Sequence, residues 1–485
     1  MTDLGRRAVR GTMAVFAANT ASRLVSFAGM LYLMERVGAE HFGVVAYAAS
    51  LLAICDAASN WGFSQAAIHR SERADETFAT FLVLRVLLLL AVLSVALGAA
   101  SFSDVLLRGT PLDVMVALAI ALVWDAVSDV QATRLARSLR FGRLMVADVV
   151  SVVAGTGAAV AMAASGAGLW ALVANRAVYS TVRLVCLGAL SVERLRLGFD
   201  LDDARWLLRF GLPLWLGSMA TTWVLHYDDL VVGRLCGKAT LGQYDRAYSL
   251  GLLPLAFVTG VLTRVSFPLY ARLQGDRARL SEAFRIVSGT TLRLAGPMAL
   301  GLALAIPDFL AVMRWEQWQP MTPMLRWLLV YAVLRPLMDD AGSLLTAIGR
   351  PKVTGHTLVA EALALLVLCP LFTSWWGAEG AAASVGLVVL GGLGAWYVAF
   401  LPRVVDFSRV RLLALPLVSL AAAGAAGVAV EAWSGLAPGL PCGSAKLAAI
   451  ALVYAAGILL LDGRQTLADL KTLRRHAIGK PEAEA

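Results

Sequence analysis

Residues 78–97 read F-A-T-F-L-V-L-R-V-L-L-L-L-A-V-L-S-V-A-L, an apolar run of 20 residues with a single charge, Arg85. As an α-helix this run is about 30 Å long, which is the thickness of the hydrocarbon core of a bilayer. Similar runs recur along the whole chain, in which 59% of residues are hydrophobic and only 15% are charged. The composition excludes an ordinary soluble protein and predicts an all-α, polytopic membrane protein.

We expect about fourteen transmembrane helices, and an even number places both termini on the same side of the membrane. The first apolar run resembles a secretory signal because Arg6, Arg7 and Arg10 precede it. Asn19 and Arg23 interrupt it, however, and no small-residue cleavage site follows, so we expect it to stay as the first helix. The predicted spans begin near Gly11, Phe42, Phe78, Leu112, Leu144, Leu169, Phe210, Gln243, Ile286, Pro323, Val353, Ala378, Leu412 and Ala445.

Basic residues predict the orientation, because Lys and Arg are retained in cytoplasmic loops. About 27 of the 42 basic residues fall in one set of loops and in the C-terminal tail, and about 7 fall in the other set. This bias predicts that both termini are cytoplasmic. Nucleic-acid binding is not expected from the net charge of +9, because the basic residues flank apolar spans and form no separate domain.

Motifs for catalysis and metal binding are missing from the sequence. The five cysteines are scattered without C-x-x-C spacing, so we expect no metal centre and no cofactor. There is no G-x-S-x-G, no H-E-x-x-H and no P-loop, and an enzyme is therefore not expected. Only His226 has neighbours typical of a catalytic site, Asp228 and Asp229, and a polar helix end explains that trio more simply.

An internal repeat is visible when V-G-A-E-H-F-G-V-V-A-Y-A-A-S-L from Val37 is compared with C-G-K-A-T-L-G-Q-Y-D-R-A-Y-S-L from Cys236. Gly43 then matches Gly242. The copies lie six spans apart, which predicts two parallel six-helix lobes with the substrate site between them. The predicted divisions are an N-terminal lobe at 1–195, a C-terminal lobe at 196–405, two further transmembrane helices at 406–462 and a cytoplasmic tail at 463–485.

Charged side chains inside spans are candidates for function, because each costs about 2.5 to 3.5 kcal/mol at mid-membrane and so faces protein or water. Arg23 lies near the middle of the first predicted helix, and no acidic residue lies within one helical turn of it in the sequence. Asn19 and Ser26 share its face, which favours a water-filled lumen over a structural ion pair. The predicted substrate-binding residues are Arg23, Arg85, Arg264, Arg293 and Arg335.

The other arginines have alternative roles. Arg85, Arg264 and Arg293 lie toward the cytoplasmic half, where their guanidinium groups would meet the phosphates of an anionic, lipid-linked substrate. For Arg264, snorkelling to the membrane interface explains the charge nearly as well. Arg335 and Asp339 are four residues apart and would pair on their own helix.

Three carboxylates are predicted to couple transport to an ion gradient. Asp125 and Asp129 share a helix face, and the repeat offset places Asp340 roughly opposite Asp129. Such groups would bind H⁺ or Na⁺. The alternative, that they only neutralise nearby arginines, is equally compatible with the sequence.

One stretch resembles a known family: H-Y-D-D-L-V-V-G-R-L-C-G-K-A-T-L-G-Q-Y-D-R-A-Y-S-L-G-L-L-P at 226–254, followed by T-R-V-S-F-P-L-Y-A-R-L-Q-G-D at 263–276. It is similar to the polysaccharide exporters, the Wzx-type oligosaccharide flippases of the MOP superfamily, and most of all to the colanic acid exporter branch. The matching residues are Asp228, Gly233, Leu241, Gly242, Tyr244, Arg246, Ala247, Tyr248, Pro254, Arg264, Phe267, Pro268, Arg272 and Gln274.

The resemblance implies a fourteen-helix, two-lobed carrier in a bacterial inner membrane. It would flip an undecaprenyl-pyrophosphate-linked oligosaccharide outward by alternating access, ahead of polymerisation. Its expected partners are that lipid-linked substrate, membrane lipids, and the polymerase and co-polymerase of an export pathway. A MATE-like drug antiporter and a lipid II flippase of the same superfamily are the alternatives. A membrane polymerase or ligase would need a large external loop, and the longest one expected here runs only from Glu431 to Ser444.

Overall fold

The computed structural model of the protein describes residues 3–70, 74–102, 109–191, 197–254 and 266–477, with side chains described from residue 20 to residue 463 except at 71–75, 100–108, 192–196 and 255–265. In these ranges the regular structure is helical and there is no β-strand. The predicted all-α fold class is confirmed.

In the part of the chain that the structure describes, seven helices precede residue 200. They are α1 (Asp3–Arg36), α2 (Ala39–Ser59), α3 (Phe63–His69), α4 (Ala74–Phe102), α5 (Leu112–Arg137), α6 (Phe141–Ala164) and α7 (Leu169–Leu190). The run that resembles a secretory signal lies within α1. The predicted span starts at Leu112 and Leu169 coincide with the first residues of α5 and α7.

The second half of the chain is also built from long helices. They are α8 (Leu201–Leu235), α9 (Lys238–Gly251), α10 (Arg277–Met313), α11 (Met321–Ala347), α12 (Pro351–Ala395), α13 (Leu415–Trp433) and α14 (Leu440–Ala477), with residues 266–273 also helical. Non-helical backbone at Trp376 and Gly377 divides α12 into two arms, which correspond to the two predicted spans from Val353 and Ala378. A second break lies in α14 at Asp462.

Seven helical stretches among the described residues are long and apolar enough to cross a membrane. Helices α5, α7 and α8 are not among these seven stretches. The integral membrane character predicted from composition is confirmed, whereas the total of fourteen spans stays a prediction.

By their internal contacts the residues group into two compact units, Met1–Asp245 and Arg246–Ala485. In the first unit, α8 packs along α2 and α3: Leu207 joins Phe63 and Phe81 in one buried cluster. In the second unit, α10, α13 and α14 share a core that includes Ala423 and Ile450. The six-helix lobes expected from the repeat stay a prediction.

Where α3 and α8 approach each other, the packing includes a buried ion pair. Arg70 Nη1 lies 2.6 Å from Oδ1 of Asp203, whose side chain is fully buried. The Arg70 guanidinium also lies 4.9 Å from the ring centroid of Trp206, a cation–π contact. Thr77 donates a hydrogen bond to the second Asp203 oxygen. These contacts fix the start of α8 against the end of α3.

The distribution of charge predicts a definite topology for these helices, which reporter fusions can measure. Cytoplasmic signals are expected from fusions after Arg70, Arg140, Arg205, Arg277 and Arg403, and periplasmic signals from fusions after Arg108 and Glu316. A reversed signal at any two of these sites would contradict the predicted orientation.

Candidate functional site

Arg23 lies in α1, and its side chain is exposed on the protein surface, as is that of Ser26 one turn further along. Helix α1 packs against α6, where Gly29 lies against the side chain of Thr156. The side chain is therefore accessible in this structure, and the lumen-facing position of Arg23 stays a prediction.

Arg85 lies inside the packing between α2 and α4, and only 1% of its side chain is exposed. It forms an ion pair with Asp56 and donates a 2.5 Å hydrogen bond to Ser59 Oγ. A third contact reaches the backbone carbonyl of Asp56 at 3.4 Å. In this conformation the guanidinium is engaged by α2, so substrate could reach it only after a rearrangement.

Helix α7 carries two arginines that face carboxylates on α5 and α6. Arg176 donates to Asp125 at 2.5 Å. Arg183 bridges two helices, because it donates to Asp129 at 2.9 Å and to Asp148 at 3.1 Å. The neutralising role that the sequence left open for Asp125 and Asp129 thus has a direct structural basis. The Asp129 and Asp148 side chains stay 42% and 41% exposed, which indicates a polar surface at membrane depth.

In the second unit Arg335 pairs with Asp339 at 3.0 Å, and this prediction is confirmed. Arg335 also contacts Glu361 of α12 at 3.3 Å. Arg293 of α10 donates to Asp462 at 2.5 Å, at the residue where α14 breaks. Both arginines therefore lie in helix–helix ion pairs.

Asp340 differs from the other two predicted coupling residues. Only 3% of it is exposed, and two hydroxyl groups donate hydrogen bonds to its carboxylate. Tyr270 donates a 2.9 Å hydrogen bond to one carboxylate oxygen, and Ser288 of α10 donates a 2.5 Å bond to the other. Among the residues that the structure describes, no basic side chain forms a salt bridge with Asp340, whereas Asp125 and Asp129 each face an arginine.

Arg264, the remaining predicted substrate-binding residue, lies outside the described residues. Of the other four, the structure places Arg23 and Arg85 in the first unit and Arg293 and Arg335 in the second. Within each unit no two of these arginines share a carboxylate among the described residues, because Arg85 pairs with Asp56, Arg293 with Asp462, and Arg335 with Asp339 and Glu361.

The sequence analysis missed a charged triad in the second unit, in which Lys446 and Asp308 are buried and Glu431 is exposed. Lys446 of α14 lies 2.8 Å from Asp308 of α10 and 2.8 Å from Glu431 of α13, and its side chain is 3% exposed. Asp308 also accepts a hydrogen bond from the backbone of Gly439. The triad anchors the α13–α14 hairpin to α10. The sequence did contain a sign of this triad, because Asp308 and Lys446 are each a single charge within an apolar run.

His226, Asp228 and Asp229 occupy a polar junction between α2, α8 and α9. Ser50 of α2 donates a 2.7 Å hydrogen bond to Asp229, and Tyr244 of α9 donates a 2.6 Å bond to Asp228. His226 Nδ1 lies 3.9 Å from Asp229. The trio thus ties three helices together, as a structural role requires, but it lies inside α8 and not at the helix end expected from the sequence.

Comparison with known proteins identifies the family. Residues 37–323 match the family model described as polysaccharide biosynthesis protein. The chain belongs to the polysaccharide biosynthesis protein family. The kinship expected from the motif at 226–254 is therefore confirmed.

Two relatives of this polysaccharide biosynthesis protein cover much of its length. It is 26% identical over 328 residues to the lipopolysaccharide biosynthesis protein WzxC of Escherichia coli (strain K12), which covers 67% of both chains. It is 27% identical over 375 residues to the succinoglycan biosynthesis transport protein ExoT of Rhizobium meliloti (strain 1021), which covers 76% of this chain and 71% of ExoT.

Solved structures show the fold of this polysaccharide biosynthesis protein. It resembles the lipid II flippase MurJ in an inward closed conformation, with a TM-score of 0.74 at 13% identity, over 92% of this chain and 98% of MurJ. An inward-facing MATE transporter of the MOP superfamily matches with a TM-score of 0.63 at 15% identity, over 78% and 94%. The polytopic transporter fold is thus confirmed.

Proposed function

We propose that this protein flips an undecaprenyl-pyrophosphate-linked oligosaccharide from the cytoplasmic to the periplasmic leaflet of a bacterial inner membrane. The observation that carries the proposal is the family match over 37–323, in a chain whose fold is that of a flippase. The relatives are named for lipopolysaccharide biosynthesis and succinoglycan transport, which supports a polysaccharide precursor as cargo. The protein acts as a transporter, and both termini lie in the cytoplasm.

The chemistry of the described helices fits such a cargo. A lipid-linked oligosaccharide combines an anionic pyrophosphate, a polar glycan and an apolar tail, so its headgroup must cross the membrane in a polar environment. Arg23 offers a guanidinium for the pyrophosphate. The half-exposed carboxylates on α5 and α6 offer acceptors for sugar hydroxyls. Arg85, Arg293 and Arg335 are proposed to contact the headgroup only if their ion pairs open during transport.

Coupling to H⁺ or Na⁺ is a further part of the proposal. Asp125 and Asp129 form ion pairs with arginines in this conformation, so a bound cation would add little neutralisation at either carboxylate. Asp340 is buried among hydroxyl donors that cannot cancel its charge. Of the three candidates, Asp340 is therefore the strongest coupling site.

The function can be tested in a strain that lacks the gene but retains its glycosyltransferases and polymerase. Expression of the protein should restore export of the polysaccharide, and its absence should leave lipid-linked repeat units in the cytoplasmic leaflet. A lipid II flippase would instead rescue a strain depleted of MurJ, and a drug antiporter would protect cells from cationic compounds. Rescue in either of those assays without restored export would overturn the proposal.

The same strain can test the predicted partners. An exporter that feeds a polymerase and a co-polymerase should be recovered with them after cross-linking in the membrane. Such a complex is proposed only as a consequence of the pathway, in which the flipped repeat unit is the polymerase's substrate.

A further inference from the structure

The turn between α5 and α6 has a strained backbone conformation at Leu139. The N–H of Arg140 donates to the carbonyl of Leu135 at 2.9 Å, and the N–H of Leu139 donates to that of Ala136 at 3.0 Å. These two bonds form a Schellman motif, in which the left-handed residue is usually glycine. Here the left-handed residue is Leu139, with a φ of 55° and a side chain that is 75% exposed. The leucine therefore strains the turn while most of its apolar surface stays uncovered.

Apolar and basic side chains alternate on this turn. Residues 138–143 read S-L-R-F-G-R, and all six are exposed, with Phe141 at 51%. Four arginines recur at every third position from 134 to 143, and no acidic residue occurs anywhere in 130–147. Water would solvate the arginines, but exposing Leu139 and Phe141 to water stabilises nothing. The turn has the composition of a surface that meets both phosphate and hydrocarbon.

A second exposed apolar segment precedes α8. Residues 197–199 read L-G-F, and Leu197 and Phe199 are 85% and 55% exposed. The segment is held against α4, because the N–H of Asp200 donates a 3.0 Å hydrogen bond to Thr80 Oγ1. Its backbone is thus fixed while its apolar side chains stay uncovered.

The two segments are held next to the same turn of α4. The guanidinium carbons of Arg134 and Arg137 lie 5.6 Å and 5.8 Å from the ring centroid of Phe78, two residues before Thr80. Arg143 donates a 2.9 Å hydrogen bond to the backbone carbonyl of Leu190, the last residue of α7. The exposed side chains therefore form one surface of the first unit. This interfacial patch consists of Leu139, Arg140, Phe141, Arg143, Leu197 and Phe199.

The position of the interfacial patch along the helices places it at a membrane surface. Phe141 is the first residue of Phe141–Ala164, a helix long and apolar enough to cross a membrane. The predicted topology assigns the end of α5 and the starts of α6 and α8 to the cytoplasmic side. The cytoplasmic leaflet carries the anionic phospholipids, whose negative surface potential attracts basic residues within about 10 Å of the surface.

We propose that the interfacial patch binds anionic phospholipids of the cytoplasmic leaflet. The guanidinium groups of Arg140 and Arg143 bind the lipid phosphates, and the side chains of Leu139 and Phe141 insert between the headgroups. The apolar contact that Leu139 gains in the membrane offsets the strain of its backbone. This lipid site is separate from the path of the cargo and does not depend on the proposed flippase function.

The test measures how readily water reaches the patch in nanodiscs of defined lipid. The five native cysteines are first replaced by serine or alanine. Gly142→Cys is the reporter, because Gly142 is exposed and a Cβ there meets no atom within 4 Å. An uncharged, water-soluble maleimide should label it about tenfold more slowly in phosphatidylcholine mixed with phosphatidylglycerol than in phosphatidylcholine alone, since each arginine near an anionic surface favours the inserted state.

Gly275→Cys is the matched control reporter. Gly275 is also exposed and its Cβ position is open, and residues 272–279 contain arginines but no exposed leucine or phenylalanine. Its labelling rate should be the same in the two lipid mixtures. Equally slowed labelling at both reporters would show a general effect of the lipid on the reagent and would overturn the proposal.

Leu139→Gly separates lipid binding from a role in shaping the turn. Glycine adopts a φ of 55° without strain, so this variant keeps the turn and removes only the apolar side chain. It should restore fast labelling of the Gly142→Cys reporter in the anionic nanodiscs, and Arg140→Gln should do the same through loss of charge. Arg314→Gly is the matched control: it relieves the same φ of 55° at the end of α10 and should leave labelling slow.

Three results would contradict phospholipid binding. The first is equal labelling of Gly142→Cys in the neutral and anionic nanodiscs, and the second is slow labelling that persists in Leu139→Gly and Arg140→Gln. The third comes from neutral nanodiscs that contain undecaprenyl pyrophosphate: slow labelling there, but not with phosphatidylglycerol, would assign the patch to the cargo. The phosphatidylglycerol measurement contains no cargo, so its outcome and the outcome of the export assay are independent.

Discussion

Arg23→Ala should give a protein that inserts normally but exports little polysaccharide, with lipid-linked repeat units accumulating in the cytoplasmic leaflet. The reason is electrostatic. Arg23 lies exposed in α1 at membrane depth, where the pyrophosphate of the proposed substrate would supply a negative charge. Loss of a charge-assisted hydrogen bond costs about 1.5 to 3 kcal/mol, which corresponds to a decrease in transport of about tenfold or more.

Two further variants separate charge from geometry at this position. Arg23→Lys should keep part of the activity, because the positive charge remains while the bidentate fork of the guanidinium is lost. Arg205→Ala is the matched control: Arg205 is 72% exposed at the start of α8 and lies 3.7 Å from the exposed Asp202 of the same helix. Polysaccharide export by the Arg205→Ala protein should stay near the parental level.

Export is measured in the deletion strain alongside the amount of protein in the membrane. Normal export by a well-expressed Arg23→Ala protein would show that Arg23 is dispensable. The cavity would then draw its positive charge from another residue.

Local patterns allowed much of the fold to be predicted. The apolar pattern places the first residues of α5 and α7 correctly, at Leu112 and Leu169. The separation of Arg335 from Asp339 by four residues is enough to predict their ion pair. Both features depend only on the periodicity of a single helix. The repeat likewise singled out Gly43 and Gly242, although not that they touch.

The partners of most intramembrane charges could not be predicted, because they come from distant parts of the chain. Arg293 and Asp462 are 169 residues apart, and Lys446 and Asp308 are 138 apart. Which carboxylate meets which cation depends on the register and rotation of packed helices, and no single-helix pattern contains that information. The sequence therefore shows which charged residues lie inside predicted spans. It does not show which of them the folded protein neutralises with an ion pair.

Asp340→Asn should have the largest effect of the three predicted coupling substitutions and should abolish gradient-driven flipping while leaving substrate binding largely intact. Asparagine keeps the size and an oxygen that can accept from Tyr270 or Ser288, but it can neither take up a proton nor offer a negative charge to Na⁺. Because the surrounding hydroxyls cannot cancel a buried charge, a bound ion is the natural way for Asp340 to be neutralised.

Asp129→Asn serves as the matched comparison. It also removes one carboxylate charge, but the arginine that pairs with Asp129 keeps a second carboxylate partner. Arg183 would keep its contact with Asp148 at 3.1 Å, so no guanidinium is left without a carboxylate. We expect Asp129→Asn, and likewise Asp125→Asn, to change the ion dependence of export less than Asp340→Asn does.

The measurement is polysaccharide export as a function of external pH and Na⁺ concentration, with and without a protonophore, for each variant at matched membrane levels. In the parent protein a gradient-driven carrier should lose export when its coupling gradient collapses. Asp340→Asn should export at a low rate that no longer responds to that gradient, since the site that links ion movement to the conformational cycle has lost its charge. If the pH and Na⁺ dependence of export is unchanged in all three asparagine variants, these carboxylates are not part of the coupling mechanism, and other residues couple transport to its energy source.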